Sequence, residues 1–252
     1  MAFLELKFHS VSLGQSVSVN ILVPENKEKT FKTLWLLHGL SDDHNSWMRY
    51  TSVERYADRY SLAVVMPCVD RSWYTDTAYG KKYFTFITEE LPAQMAYLFK
   101  GYSRAREDNL VMGLSMGGYG AVKAALTYPE NYSFCASFSG ALDITRKNRP
   151  YHLEEWRSIF GFDLKSAAEL EGTKHDLFAI AKEVKNPPFI YMWCGREDAW
   201  IEANKQFSTH LSNLGIAHTF RPSEGNHTWK YWDAQLQNAL ACWEAYRDRS
   251  QL

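Results

Sequence analysis

Cysteine is scarce in this 252-residue chain and nowhere paired: Cys68, Cys135, Cys194 and Cys242 stand far apart, mostly among apolar residues. No Cys-x-x-Cys spacing suggests a metal or redox site, so free buried thiols in a reducing cytoplasm are expected, with no metal and no cofactor. Also missing is any apolar run near the ~20 residues of a membrane span. The N-terminal stretch Met1-Ala2-Phe3-Leu4-Glu5 meets charge at once and carries no small-residue cleavage pattern, so no secretory signal is expected. A marked charge imbalance is lacking too. Twenty-eight Lys and Arg stand against 29 Asp and Glu, a net charge of -1, and the basic residues are scattered. Nothing there recruits nucleic acid or an anionic membrane, and a small-molecule partner is expected. No internal repeat or low-complexity tract is present.

What the chain has in quantity is apolar and aromatic side chains. Its 46% hydrophobic content, with nine Trp, suits one large α/β domain over residues 1–252. Phe3–His9 and Ser16–Val23 alternate apolar and polar residues around Leu13-Gly14-Gln15, the pattern of an antiparallel hairpin at a sheet edge. Largely apolar runs follow at Thr33–Leu37, Ser61–Met66, Asn109–Leu114, Ser133–Phe138 and Phe189–Cys194, as strands buried on both faces of a mainly parallel sheet require, and Ala217–Arg221 is expected to be the final strand. Helical spacing marks Val53–Tyr60, Tyr83–Phe99 with Pro92 as a bend, Ala121–Leu126, Ile201–Leu214 and Trp229–Tyr246. This alternation predicts a doubly wound sheet with right-handed crossovers. The long segment from Gly140 to Lys185, with Tyr151, Trp156, Phe160 and Phe162, is expected to be a cap-like insertion over the active edge or a surface insertion with its own small core. Exposed aromatics in it would favour a homo-oligomer.

One stretch carries chemistry. Gly113-Leu114-Ser115-Met116-Gly117 joins a strand to an Ala-rich helix that Tyr128-Pro129 ends. A five-residue Gly-x-Ser-x-Gly pattern arises readily by chance, and its flanks give it weight. Between strand and helix it reads as a nucleophile elbow, with Ser115 in a strained backbone conformation and glycine where the turn is too close for a side chain. A serine hydroxyl is a poor nucleophile near neutral pH, so it needs a base and a carboxylate to orient that base. In elbow enzymes the order along the chain is Ser, then Asp or Glu, then His. His227 alone lies in a loop directly after the last strand; His152, His175, His210 and His218 fall in expected helices, caps or a strand. For the acid, Asp198 after the strand ending at Cys194 is favoured over its neighbour Glu197 and over Asp143. Two oxyanion donors are assigned to the backbone N–H groups of Met116, after the nucleophile, and Leu40, in the His38-Gly39-Leu40 loop. His38 itself is read as a buried structural residue. Trp47, Trp73 and Trp156 are candidate pocket walls, Trp73 from the aromatic loop Arg71–Asp76 at the carboxyl end of a strand.

His38-Gly39-Leu40 with Asn45-Ser46-Trp47, Trp73-Tyr74-Thr75-Asp76, Gly113-Leu114-Ser115-Met116-Gly117-Gly118-Tyr119-Gly120, Ser137-Phe138-Ser139-Gly140, Cys194-Gly195-x-x-Asp198 and His227 together resemble the esterase D group of α/β-hydrolases. That group includes S-formylglutathione hydrolases, feruloyl and acetyl-xylan esterases and mycolyltransferases, and the small bacterial tributyrin-type esterases are the nearest match. The resemblance implies an α/β-hydrolase fold and a cytoplasmic serine carboxylesterase acting on short acyl esters. It implies Ser115, Asp198 and His227 as triad and Leu40 and Met116 as oxyanion donors. An S-formylglutathione thioesterase or a feruloyl esterase is the alternative within this chemistry. A non-catalytic binding protein on the same fold is the alternative outside it. Mycolyl transfer to a cell wall is not expected of a chain without an export signal.

Overall fold

The computed structural model describes residues 1–25, 30–145 and 153–250. The strands are β1 (Ala2–Ser10), β2 (Gln15–Val23), β3 (Lys32–Leu37), β4 (Leu62–Pro67), β5 (Asn109–Leu114), β6 (Phe134–Phe138), β7 (Phe189–Trp193) and β8 (His218–Phe220). They form one eight-stranded sheet in the order β1-β2-β4-β3-β5-β6-β7-β8. The opening hairpin is antiparallel and β2 runs antiparallel to β4; every later pairing is parallel. This is the mostly parallel sheet of an α/β-hydrolase. The helices are α1 (Ser46–Tyr50), α2 (Val53–Arg59), α3 (Tyr83–Thr85), α4 (Leu91–Leu98), α5 (Met116–Thr127), α6 (Leu153–Phe160), α7 (Leu177–Glu183), α8 (Ile201–Asn213) and α9 (Trp229–Ser250).

Why the central strands read as unbroken apolar runs follows from the core. Side chains alternate across a strand. Trp35, Leu37, Val111, Cys135, Ile190 and Met192 enter one buried cluster, which also takes in α5 and Phe207 of α8. Their neighbours Leu34, Leu36, Leu110, Met112, Phe134, Tyr191 and Trp193 enter a second cluster with Val53 of α2 and Leu236 and Trp243 of α9. Both faces are covered, so no polar side was available to give an alternating pattern. Helix α5 is enclosed almost completely, with Met116 through Leu126 all buried.

Three details depart from the sequence reading. The helix expected over Tyr83–Phe99 is divided, with a π-helical turn at Phe86–Glu90 between α3 and α4. Pro92 has no N–H to offer the preceding turn, and a wider turn in which the Leu91 N–H reaches Phe86 takes up that mismatch. In the segment after Gly140, Leu164, Leu170, Leu177 and Ala181 join the same cluster as α5 and form no separate core. Of its aromatics, Trp156 is buried, Phe160 is half-buried and Phe162 is 64% exposed, so the expected set of exposed rings reduces to Phe162 among the described residues. Tyr151 and His152 lie outside the described residues. Of the cysteines, Cys135 and Cys194 are buried, whereas Cys68 and Cys242 are only half-buried.

Candidate active site

Register brings the chemistry to one edge. Leu37 pairs with Gly113, Leu114 with Phe138, and Phe138 with Trp193, so β3, β5, β6 and β7 end side by side. The loops that follow carry Leu40, Ser115, Ser139 and Asp198. Open α/β sheets bind ligands at this carboxyl edge.

Ser115 has φ 54° and ψ -117°, a sparsely populated conformation that costs about 1–3 kcal/mol. Its surroundings hold it there: the Ser115 N–H donates to the Phe138 carbonyl at 2.9 Å, and its own carbonyl accepts from Tyr119 and Ala141 at 3.1 Å each. Glycine is demanded by contact at two positions. A Cβ on Gly113 would lie 2.3 Å from the Gly117 carbonyl oxygen, and one on Gly117 would lie 2.4 Å from the Leu37 oxygen. The strand and helix therefore touch backbone to backbone, and Ser115 stands at the N-terminus of α5, where the helix dipole is positive.

His227 Nε2 lies 3.0 Å from Ser115 Oγ, and His227 Nδ1 lies 2.9 Å from Asp198 Oδ2. The His227 side chain is 37% exposed while that of Asp198 is fully enclosed. Burial alone would raise the Asp198 pKa, but the hydrogen bond and charge of His227, the Trp200 N–H and the Ser139 hydroxyl outweigh it and hold the carboxyl below its ordinary value. Ser139 and Trp232 were not singled out from sequence. Trp232 Nε1 donates to Ser139 Oγ at 3.1 Å, and the Trp232 ring stands edge-on to the His227 ring with centroids 4.9 Å apart. The φ of 49° at Ser139 was the hidden part; only the Ser-x-Ser-Gly sequence after a strand hinted at it.

The loops bearing acid and base are stitched together. The Arg196 N–H donates to the Ser223 carbonyl at 2.8 Å and the Glu197 N–H to the Gly225 carbonyl at 3.0 Å. A Cβ on Gly195 would meet the Gly225 oxygen at 2.1 Å. Glu197 is exposed, and Asp143 accepts from the N–H and hydroxyl of Thr145, so neither alternative carboxylate takes the place beside His227. His175, His210 and His218 are engaged elsewhere: His175 packs on Phe160, His210 Nε2 lies 2.9 Å from the Phe178 carbonyl, and His218 Nε2 lies 2.9 Å from Ser208 Oγ.

Leu40 follows β3 in a turn outside any helix or strand, and its N–H takes no acceptor among the described residues. The direction of that N–H is set by its own peptide unit. The Gly39 carbonyl at the other end accepts from His38 Nδ1 at 2.7 Å and from the Asp42 N–H at 3.2 Å. His38 must then carry its proton on Nδ1, because Nε2 accepts from the Val69 N–H at 3.0 Å. Burial lowers the His38 pKa and keeps the ring neutral. Met116 is the first residue of α5, so its N–H belongs to the unsatisfied first turn.

The three tryptophans are enclosed, at 1–2% exposure. Trp47 belongs to the second core cluster and donates from Nε1 to the Leu37 carbonyl at 3.1 Å, bracing the end of β3. Trp73 lies between Tyr119 and Trp156, with ring centroids 5.9 and 5.6 Å away. A cleft of about 1170 Å³ opens beside the far half of α5, between Phe84, Lys123, Leu126 and Ile180, and touches neither Ser115 nor His227. Among the described residues no group of three His, Cys, Asp or Glu is placed to hold a metal ion.

Comparison with known proteins places the chain among esterases. Residues 10–242 match the esterase family described as "Putative esterase". The acetyl esterase of Caldicellulosiruptor saccharolyticus is 30% identical over 95% of this chain and 97% of its own. Among solved structures, the substrate-bound fluorophosphonate-binding serine hydrolase F of Staphylococcus aureus is 33% identical, with a TM-score of 0.89 over 96% of this chain and 98% of that one. An S-formylglutathione hydrolase from the same species is 32% identical, with a TM-score of 0.86 over the same shares of 96% and 98%. The chain belongs to this esterase family, and it is a serine carboxylic ester hydrolase.

Proposed function

We propose that Ser115 is the nucleophile, His227 the general base and acid, and Asp198 the residue that orients His227. The observation that carries this reading is the continuous hydrogen-bonded line from Ser115 Oγ through His227 to Asp198, at 3.0 and 2.9 Å. Ser115 Oγ attacks the ester carbonyl as His227 Nε2 takes its proton. The tetrahedral oxyanion meets the N–H groups of Leu40 and Met116, a preorganised pair whose members are typically worth 10²–10³ in turnover each. His227 returns the proton to the leaving alkoxide, and a water repeats the sequence to release the acid and restore Ser115.

Short acyl esters, acetyl and butyryl in size and including tributyrin, are the proposed substrates, in line with the acetyl esterase relative. Trp73 and Trp156 are proposed to close the acyl side of the site, since Trp73 stands beside Tyr119, one turn beyond Ser115, and Trp156 packs against Trp73. Trp47 is left to packing. The buried thiols Cys135 and Cys194 suit the proposed reducing cytoplasm, and Phe162 is the residue on which a homo-oligomer would rest.

Replacing Ser115 by Ala should abolish labelling by a fluorophosphonate probe and lower p-nitrophenyl acetate turnover by at least ~10³-fold; wild-type turnover in that variant would refute the assignment. A p-nitrophenyl ester series from acetyl to decanoyl should peak at four carbons or fewer, and Trp73→Ala should shift the peak to longer chains. An unchanged profile removes Trp73 from the pocket. Thioester hydrolysis is the second reading, favoured by the similarity to an S-formylglutathione hydrolase. It wins if kcat/KM on S-formylglutathione exceeds that on the best simple ester.

A further inference from the structure

Trp73 and Tyr74 are consecutive side-chain-bearing residues with φ of 52° and 48°. Both lie in the left-handed region, which persists outside glycine only where the surroundings over-determine it. Here four hydrogen bonds do so. The Tyr74 N–H donates to Ser72 Oγ at 3.2 Å and Thr75 Oγ1 to the Trp73 carbonyl at 3.0 Å. Lys123 Nζ, from the middle of α5, donates to the Tyr74 carbonyl at 3.1 Å and to Thr75 Oγ1 at 2.8 Å. Lys123 is only 3% exposed, an ionisable group enclosed in the core for the sake of two oxygens in this one turn.

What the strained turn achieves is the placement of one phenol. The Tyr74 ring fills the space left by Gly120 on α5, where a Cβ would come within 2.4 Å of the ring. Its hydroxyl then donates to the His38 carbonyl at 2.9 Å. That carbonyl belongs to the peptide unit immediately before the one that carries the Leu40 N–H. The His38 side chain bonds to one unit of the loop and Tyr74 to the other, so both peptide units leading to the Leu40 N–H are held by a side chain.

We propose that Tyr74 is a positioning residue for ester hydrolysis: its hydroxyl anchors the oxyanion loop, while Lys123 and the space at Gly120 hold the phenol in place. The inference rests on the assignment of Ser115 and Leu40 made above. A loosened donor loses part of the 10²–10³ that its removal costs, so the effect falls on transition-state stabilisation and spares substrate binding.

The test is Tyr74→Phe, which keeps the ring beside Gly120 and deletes only the hydroxyl. Active sites are titrated to completion with a fluorophosphonate, and kcat per titrated site, KM for p-nitrophenyl acetate and Ki for a trifluoromethyl ketone are compared with wild type. We expect kcat per site to fall about tenfold, KM to stay within twofold, and the ketone, which forms a tetrahedral adduct, to bind weaker by a similar factor. A purely structural role would lower the titrated fraction and leave turnover per site and inhibitor binding unchanged; that result overturns the proposal. Lys123→Met leaves the hydroxyl but frees the turn. It should give the same split at smaller amplitude, and it decides the matter should Tyr74→Phe not fold: unchanged turnover per site overturns the proposal there too. Wild-type turnover in Ser115→Ala overturns the site assignment and this inference with it, whereas a silent Tyr74→Phe beside an inactive Ser115→Ala overturns the inference alone.

Discussion

Asp198 holds two opposed effects in one carboxyl. Burial favours its neutral form, and the hydrogen bonds from His227, the Trp200 N–H and Ser139 favour the ion; the hydrogen bonds prevail. Its pKa in the folded protein is therefore below the ordinary 3.8. A depressed carboxylate stabilises the fold above its unfolded pKa, and that contribution is lost as pH falls through the folded value. Asp198→Asn removes the contribution and presents an amide to His227 Nδ1, which allows the wrong ring tautomer. Turnover should fall on the order of 10⁴-fold, and stability followed by chemical denaturation from pH 5 down to pH 2 should decline less steeply than in wild type. A parallel decline in both proteins would show that Asp198 is not held as an ion. Order along the chain was enough to propose Ser115, Asp198 and His227, because each lies in the connection that follows a strand. Ser139 and Tyr74 escaped, since their roles depend on a positive φ and a hydroxyl direction that no local pattern encodes.

At the scale of the element, the strand-turn-helix unit from Asn109 to Thr127 is fixed by close contact. Gly117→Ala would place a methyl 2.4 Å from the Leu37 oxygen and 2.6 Å from the His38 oxygen, both backbone atoms that cannot swing aside. The expected loss is more than ~3 kcal/mol, a fall in melting temperature of roughly 10 °C or more. Gly14→Ala serves as the comparison, because open space surrounds a Cβ there and only its φ of 60° is strained. If thermal unfolding showed the two variants equally stable, contact would not be the reason for glycine in the elbow. Strand positions were legible because apolar runs of five or six residues bounded by turn residues admit few other readings. The π-helical turn before Pro92 was not legible, as the sequence showed that a bend was due but not how the backbone would absorb it. Nor was the stitching of Gly195 to Gly225, which lie 30 positions apart and meet only because β7 and β8 are paired.

For the whole molecule, the enclosed α5 sets a pH dependence of stability. Burial lowers the Lys123 pKa from 10.5 to about 7, with Asp76 opposing the shift and Lys174 adding to it. Between about 7 and 10.5 the unfolded chain binds this proton and the folded one does not, so the contribution of Lys123 makes the protein more stable as pH rises through that window. Below it the ammonium is buried and its full penalty is present. Lys123→Met should therefore flatten the stability profile between pH 7.5 and 9.5, at up to ~1.4 kcal/mol per pH unit. Equal slopes for variant and wild type in urea titrations would mean that Lys123 stays charged throughout. The sequence by itself determined the fold class and the class of reaction, and gave the chain order of the proposed reacting groups, because hydrophobic periodicity and short turn motifs are local and act over a few residues. Only the tertiary structure decided that Trp47 packs into the second core cluster, that Trp73 lies between Tyr119 and Trp156, that the segment after Gly140 shares the core of α5, and that a buried lysine holds the turn whose tyrosine bonds to the His38 carbonyl. Each of these depends on distances between residues far apart in the chain, which are fixed when the two faces of the sheet are covered.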